Sequence, residues 1–197
     1  MINAFFNGVI VMIDIDCMEN IVKRRGWSKY KPNKATGLLT NLVEMFAVKW
    51  RAIVIYGLDH KRGTEETVLE IPLADPWELA EDLVSIAQRM EEENVTVTIV
   101  ARSAPLIGKP ARKRREAYQG FRSAVAAELR RLKRIGGGVV SIEGTIIYRS
   151  PRRPSECMDH GGPAREPSLD EEGVENAAGY SATYNAIRGS RQHSVDN

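Results

Sequence analysis

The sequence predicts an α+β fold, one antiparallel sheet with helices packed over one face, in the order βααββαβαβ. Three observations carry this. Short β-branched apolar runs alternate with longer stretches of helical spacing, two of those runs flank a polar turn as a hairpin, and the aliphatic pattern stops near Tyr148. A chain of 197 residues with 43% hydrophobic content can build one well-cored domain and still carry an appendage.

The first strand spans Gly8 to Asp16 (GVIVMIDID), an apolar run that ends in two carboxylates. Alternation puts Val9, Val11, Ile13 and Ile15 on one side and Ile10, Met12, Asp14 and Asp16 on the other. Met18 to Arg25 reads as a short helix stopped by Gly26. A polar connection with Pro32 leads to a second helix, Lys34 to Val48, whose Leu38, Leu39, Leu42, Val43, Met45 and Phe46 recur at helical spacing. Arg51 to Leu58 and Thr67 to Pro72 form the hairpin around the turn Asp59 to Glu66. Asp75 before Pro76 is an N-cap with proline at the first helical position and opens a third helix, which runs through Met90.

Val95 to Ala101 alternates as a strand, and Ser103 to Pro110, with two prolines and a glycine, reads as a loop. The fourth helix, Ala111 to Ile135, is expected to bury Ala117, Phe121, Val125, Leu129 and Leu132 and to stop at Gly136 to Gly138. Val139 to Tyr148 supplies a last strand pair or extended edge. Residues 1–148 are therefore read as the domain. Residues 149–197, rich in Pro, Gly, Ser and charge, are read as a disordered C-terminal tail, because so few aliphatics cannot offset chain entropy.

A formal net charge of +2 excludes a globally basic nucleic-acid binder and leaves local patches open. The longest apolar run is far short of the roughly 20 residues of a membrane helix. With no secretory pattern at the N-terminus, a soluble cytoplasmic protein without a membrane partner is expected. Cys17 and Cys157, far apart in the sequence, indicate no disulfide framework.

Two acids at the end of a buried strand suit a divalent cation with hard oxygen ligands, such as Mg²⁺ shared with nucleotide phosphates. Asp16 has a second reading as a helix cap, since Glu19 follows at capping-box spacing. Asp14 shares its face with Ile10 and Met12, where an acid needs a partner or a site. Lys109, Arg112, Lys113, Arg114 and Arg115 open the fourth helix, and Arg130, Arg131, Lys133 and Arg134 close it. Cations at the far end complement the helix dipole, whereas those at the start oppose it and call for an acidic partner such as phosphate. Cys157-Met158-Asp159-His160 offers too few ligands for zinc. No P-loop, Rossmann or Gly-x-Ser-x-Gly pattern is present. The triple glycine reads as a helix stop, because no helix follows it.

In element order and local text, residues 8 to about 143 resemble the palm-type nucleotidyl cyclases, the GGDEF family. Asp14 and Asp16 stand where that family has its first-strand acids. Tyr56-Gly57-Leu58-Asp59-His60 stands at the hairpin signature, and Val95-Thr96-Val97-Thr98 where a later strand begins. Leu58 replaces the second glycine, His60 replaces an acid, and Lys61 to Glu66 lengthen the turn. The resemblance implies a palm/ferredoxin-like domain binding a nucleoside triphosphate with Mg²⁺ or Mn²⁺, extending to nucleotidyl transfer or cyclisation. Asp14, Asp16 and Asp59 would be the metal ligands, Asp14 and Asp59 the catalytic acids, and Arg112, Lys113, Arg114 and Arg115 the phosphate contacts. The alternatives are a catalytically silent regulatory or scaffolding domain, and nucleic-acid binding by the basic helix. Oligomeric state is left open.

Overall fold

The structure, a computed structural model, describes residues 6–28, 31–106 and 112–151. The chain divides into two units, Met1–His160 and Gly161–Asn197, and every described residue belongs to the first. Residues 152–197, almost all of the expected tail, lie outside the described residues.

Strand β1 (Phe6–Ile15) leads through helix α1 (Met18–Arg25) to α2 (Lys34–Trp50). Strands β2 (Ile53–Tyr56) and β3 (Glu66–Pro72) form the hairpin. One 3-10 turn, Pro76–Leu79, opens α3 (Ala80–Glu92); then come β4 (Val97–Leu106), α4 (Arg112–Arg134), β5 (Val139–Ile142) and β6 (Thr145–Arg149). Local chemistry explains the ends. The Asn33 side chain accepts the N–H groups of Ala35 and Thr36 while Thr36 returns a bond to Asn33, a capping box worth about 1 kcal/mol. Asp75 caps the 3-10 turn through the Trp77 N–H at 2.8 Å, the expected role.

The six strands lie in the order β2-β3-β1-β4-β5-β6. β1 is central, antiparallel to both β3 and β4, with Asp14 opposite Glu66 on one side and Thr98 on the other. β4 and β5 are parallel, unlike the wholly antiparallel sheet expected, because the connection between them is the long helix α4. β4 also runs on through Ser103 to Leu106, where the prolines suggested a loop; pairing with β1 as far as Phe6 holds this segment extended.

Helices cover both faces of the sheet, which corrects the one-sided layering. Val9, Val11, Ile13 and Ile15 pack with Leu39 and Val43 of α2 and Leu83 and Met90 of α3. Ile10 and Met12 pack instead with Val125, Leu129 and Leu132 of α4. β1 is apolar on both sides for this reason, as a strand buried between two layers must be. Asp14 and Asp16 therefore sit beneath α4. The expected burial of Ala117 and Phe121 concerns side chains outside the described residues.

Candidate functional site

β1 ends at Ile15, and the left-handed backbone of Cys17 turns the chain sharply into α1. Asp16 occupies this corner and is 2% exposed. Its carboxylate does not cap α1. Oδ1 accepts from Thr98 Oγ1 at 2.7 Å, and Oδ2 accepts from the Gly138 backbone N–H at 2.8 Å. The triple glycine stops α4, with the Gly137 N–H returning to the Leu132 carbonyl at 3.0 Å. It also forms the cradle for Asp16. A Cβ on Gly137, whose φ is +62°, would lie 2.6 to 2.9 Å from the Asp16 carboxyl atoms. Burial pushes the Asp16 carboxyl up, and the bonds from Thr98 and Gly138 oppose that rise.

Asp14 meets α4 one turn before the glycines. The Lys133 ammonium donates to Asp14 Oδ2 and, at 3.1 Å, to the Ile15 carbonyl oxygen. Both side chains are mostly withdrawn from water, 22% and 27% exposed. Burial raises the Asp14 carboxyl above its usual range against the pull of Lys133. Glu66, across the ladder on β3, stays exposed. Partial burial and then the charge of Asp14 push its carboxyl up, opposed by Lys133 and Arg130. Further along the same face of β3, Glu70 is raised by burial and opposed by Arg122 of α4. An acidic strip on the sheet thus faces cations of the helix. Glu66 is expected from the sequence only as an acid of the hairpin turn, and Lys133, expected only among the cations closing the helix, was missed as the partner of Asp14. The cross-strand register and the helix closing over Asp14 identify them, and neither is a local sequence signal.

Asp59 is placed elsewhere. Its Oδ1 accepts the backbone N–H groups of Lys61 and Arg62 at 2.8 and 2.9 Å, closing the hairpin turn on itself. These two bonds hold its carboxyl below the usual range. The turn is moored to α2: Thr40 Oγ1 lies 3.0 Å from Thr64 Oγ1, and His60 lies 3.2 Å from Glu44. α2 covers the sheet face opposite to the one bearing Asp14. The fold therefore brings Asp14 and Asp16 to one corner and leaves Asp59 apart from them.

Gly57, the glycine of the signature region, has φ +92°, and a Cβ there would run into the Glu66 carbonyl oxygen. Gly57→Ala is expected to open β2 locally. The exposed β2 can detach without exposing the core, so amide exchange in Ile53–Tyr56 should accelerate at least tenfold while the global melting transition moves little. Equal protection in both proteins would show that the turn absorbs the added methyl.

These surroundings do not fit a three-carboxylate Mg²⁺ or Mn²⁺ site. Asp14 is neutralised by Lys133, Asp16 is saturated by Gly138 and Thr98, and Asp59, on the hairpin turn, is not grouped with them. Among the described residues no group of three or more His, Cys, Asp or Glu is arranged to hold a metal ion. The backbone of Arg112, Lys113, Arg114 and Arg115 opens α4, but their side chains, like Lys109, lie outside the described residues. Cys17 is disulfide-bonded, which differs from the reading that its spacing from Cys157 indicates no disulfide framework. The other cysteine of the sequence, Cys157, lies outside the described residues. Among the described residues no helix is long and apolar enough to cross a membrane.

No protein-family model matches the chain, and no curated protein matches it in sequence. Solved structures resemble it in fold. The GGDEF domain of DgcB from Caulobacter crescentus, in complex with c-di-GMP, superposes with a TM-score of 0.50 at 14% identity, covering 71% of this chain and 80% of that one. The coiled coil and GGDEF domain of the same protein gives 0.49 at 14% identity, covering 70% of each chain. The FimX GGDEF domain from Pseudomonas aeruginosa gives 0.42 at 12% identity, covering 71% of this chain and 83% of that one. The fold is that of a GGDEF-like palm domain.

Proposed function

We propose that this GGDEF-like palm domain acts as a binding module, regulatory or scaffolding, without phosphoryl-transfer chemistry of its own. The observation that carries the reading is the Lys133 ammonium, seated between the Asp14 carboxylate and the Ile15 carbonyl. A divalent cation gathers charged oxygens because each gains more from the metal than from water. Here an internal cation already meets the acid, and an internal anion, Asp16, already fills the glycine cradle. A metal or a phosphate would have to displace a group that the fold supplies.

The second reading, Mg²⁺- or Mn²⁺-dependent binding of a nucleoside triphosphate, is favoured by one feature: Asp14 and Glu66 stand opposite each other, with Glu66 open to solvent. Calorimetric titration separates the two. With GTP or ATP, heats are expected to be the same with and without Mg²⁺ or Mn²⁺, in the wild type and in Asp14→Asn alike. Metal-dependent GTP or ATP binding that vanishes in Asp14→Asn would overturn the silent reading. Because the DgcB GGDEF domain was solved with c-di-GMP, the same titration should include that ligand. Metal-independent binding of c-di-GMP would support a regulatory module.

A further inference from the structure

The sheet ends on one side in β2, and this edge is apolar and open. Ile53, Val54, Ile55 and Tyr56 are 52%, 37%, 37% and 59% exposed. Natural edge strands usually carry a charge, a proline, a bulge or a covering element, or are kept very short, to prevent edge-to-edge pairing. None of these four residues is charged or proline. A bulge between Val54 and Tyr56 leaves Ile55 without a partner on β3. At the other edge, by contrast, Thr145 to Tyr148 of β6 are half-buried. The patch extends onto α2. The Glu44–His60 contact fixes which helix face meets the hairpin, and Val48, one turn beyond Glu44 on that face, is 80% exposed.

We infer that β2 pairs antiparallel with β2 of a second copy of this chain, about a twofold axis at Ile55, joining two sheets edge to edge. The choice of a second copy rests on the self-complementarity of the segment. With Ile55 opposite itself, Val54 faces Tyr56, a β-branched and aromatic pair of the kind that stabilises ladders. In the same register Arg51 faces Asp59, and symmetry repeats that pair. Both charges suit the role. Arg51 is exposed and joins no ion pair among the described residues, and Asp59 commits Oδ1 to its turn while Oδ2 can take an external cation. A slip of one residue sets Arg51 against Leu58 or His60 and removes both pairs. The length of the arginine side chain covers the departure of these flanking positions from extended backbone. Asp14, Glu66 and Lys133 take no part in the pairing, so it stands or falls apart from the reading of the acid site.

An interface of this size belongs to the small, transient class, with a dissociation constant on the order of 10 to 100 μM. Sedimentation of the full chain from about 1 to 500 μM, a range that brackets that constant, is expected to show the 22.0 kDa monomer passing to a dimer. Ile55→Lys should remain monomeric with an unchanged circular dichroism spectrum, because this exposed side chain supports no core contact. Register is tested by cysteine. Ile55→Cys should cross-link to itself under mild oxidation, since directly opposed residues of an antiparallel pair lie about 4.5 to 5.5 Å apart, within disulfide range. Val54→Cys, facing Tyr56, should cross-link no more than the wild type. A wild type that stays monomeric throughout, or a dimer indifferent to Ile55→Lys, would overturn the interface. Equal cross-linking of both cysteine variants would overturn the register.

Discussion

Asp16→Ala is expected to lower the stability of the domain by about 2 to 4 kcal/mol, a drop of roughly 10 °C in melting temperature. The alanine leaves the Gly138 N–H and the Thr98 hydroxyl without their acceptor in a corner that is 2% exposed. It also frees the glycine turn that fixes the end of α4 against the start of α1. Asp16→Asn is the informative companion. The amide oxygen can accept from Gly138, and the amide nitrogen can donate to the Thr98 oxygen, so the shape and both bonds survive without the charge. Its loss should stay under about 1 kcal/mol, because burial already disfavours the ionised form. Thermal melts of the three proteins decide the matter. If asparagine were as damaging as alanine, the negative charge of Asp16, and not its hydrogen bonding, would be what the corner requires.

The contrast between Asp16 and Asp14 shows how far the sequence could be read. Periodicity located the four helices and the strands as far as Ala101, because apolar spacing at 3.6 or 2 residues follows from which face is buried, but it missed the extension of β4 through Ser103 to Leu106. Alternation also placed both acids on one face, and Asp75, Gly26 and the triple glycine acted at helix ends as their local chemistry requires. What remained hidden was long-range. That Asp16 would bind Gly138, 122 residues away, and Asp14 would bind Lys133, 119 residues away, depends on α4 crossing the face opposite the other helices. Ile10 and Met12 carried the clue, since an apolar second face on β1 calls for a second covering layer. Asp59 was grouped with the strand acids by analogy of position. Its neighbours are set by a lengthened turn that Thr64 and His60 moor to α2.

Lys133→Met should bring out the balance of charge at the acid corner. Removing the ammonium leaves Asp14 largely buried and facing Glu66 with no cation in hydrogen-bond contact, and breaking such a pair costs more than forming it stabilised. Partial exposure of both partners tempers this, so a loss of roughly 1 to 2 kcal/mol is expected at neutral pH. The dependence on pH gives the more specific signature. Asp14 and Glu66 are already raised in the folded wild type, and without Lys133 both rise further. A carboxyl with a raised folded-state pKa favours folding fully below its unfolded value, near 3.8 for Asp14 and 4.5 for Glu66, and loses that contribution as pH climbs through the folded value. The deficit of the variant should therefore be largest near pH 7 to 8 and shrink as the pH falls toward the ordinary carboxylate range. Denaturant melts of both proteins across that range measure it directly, and Asp14→Asn in the Lys133→Met background should recover most of the loss at pH 7. A deficit that stays constant with pH would mean that Lys133 contributes through the packing of its stem and its bond to the Ile15 carbonyl. The internal cation would then cease to be the reason the acid corner is closed to metal.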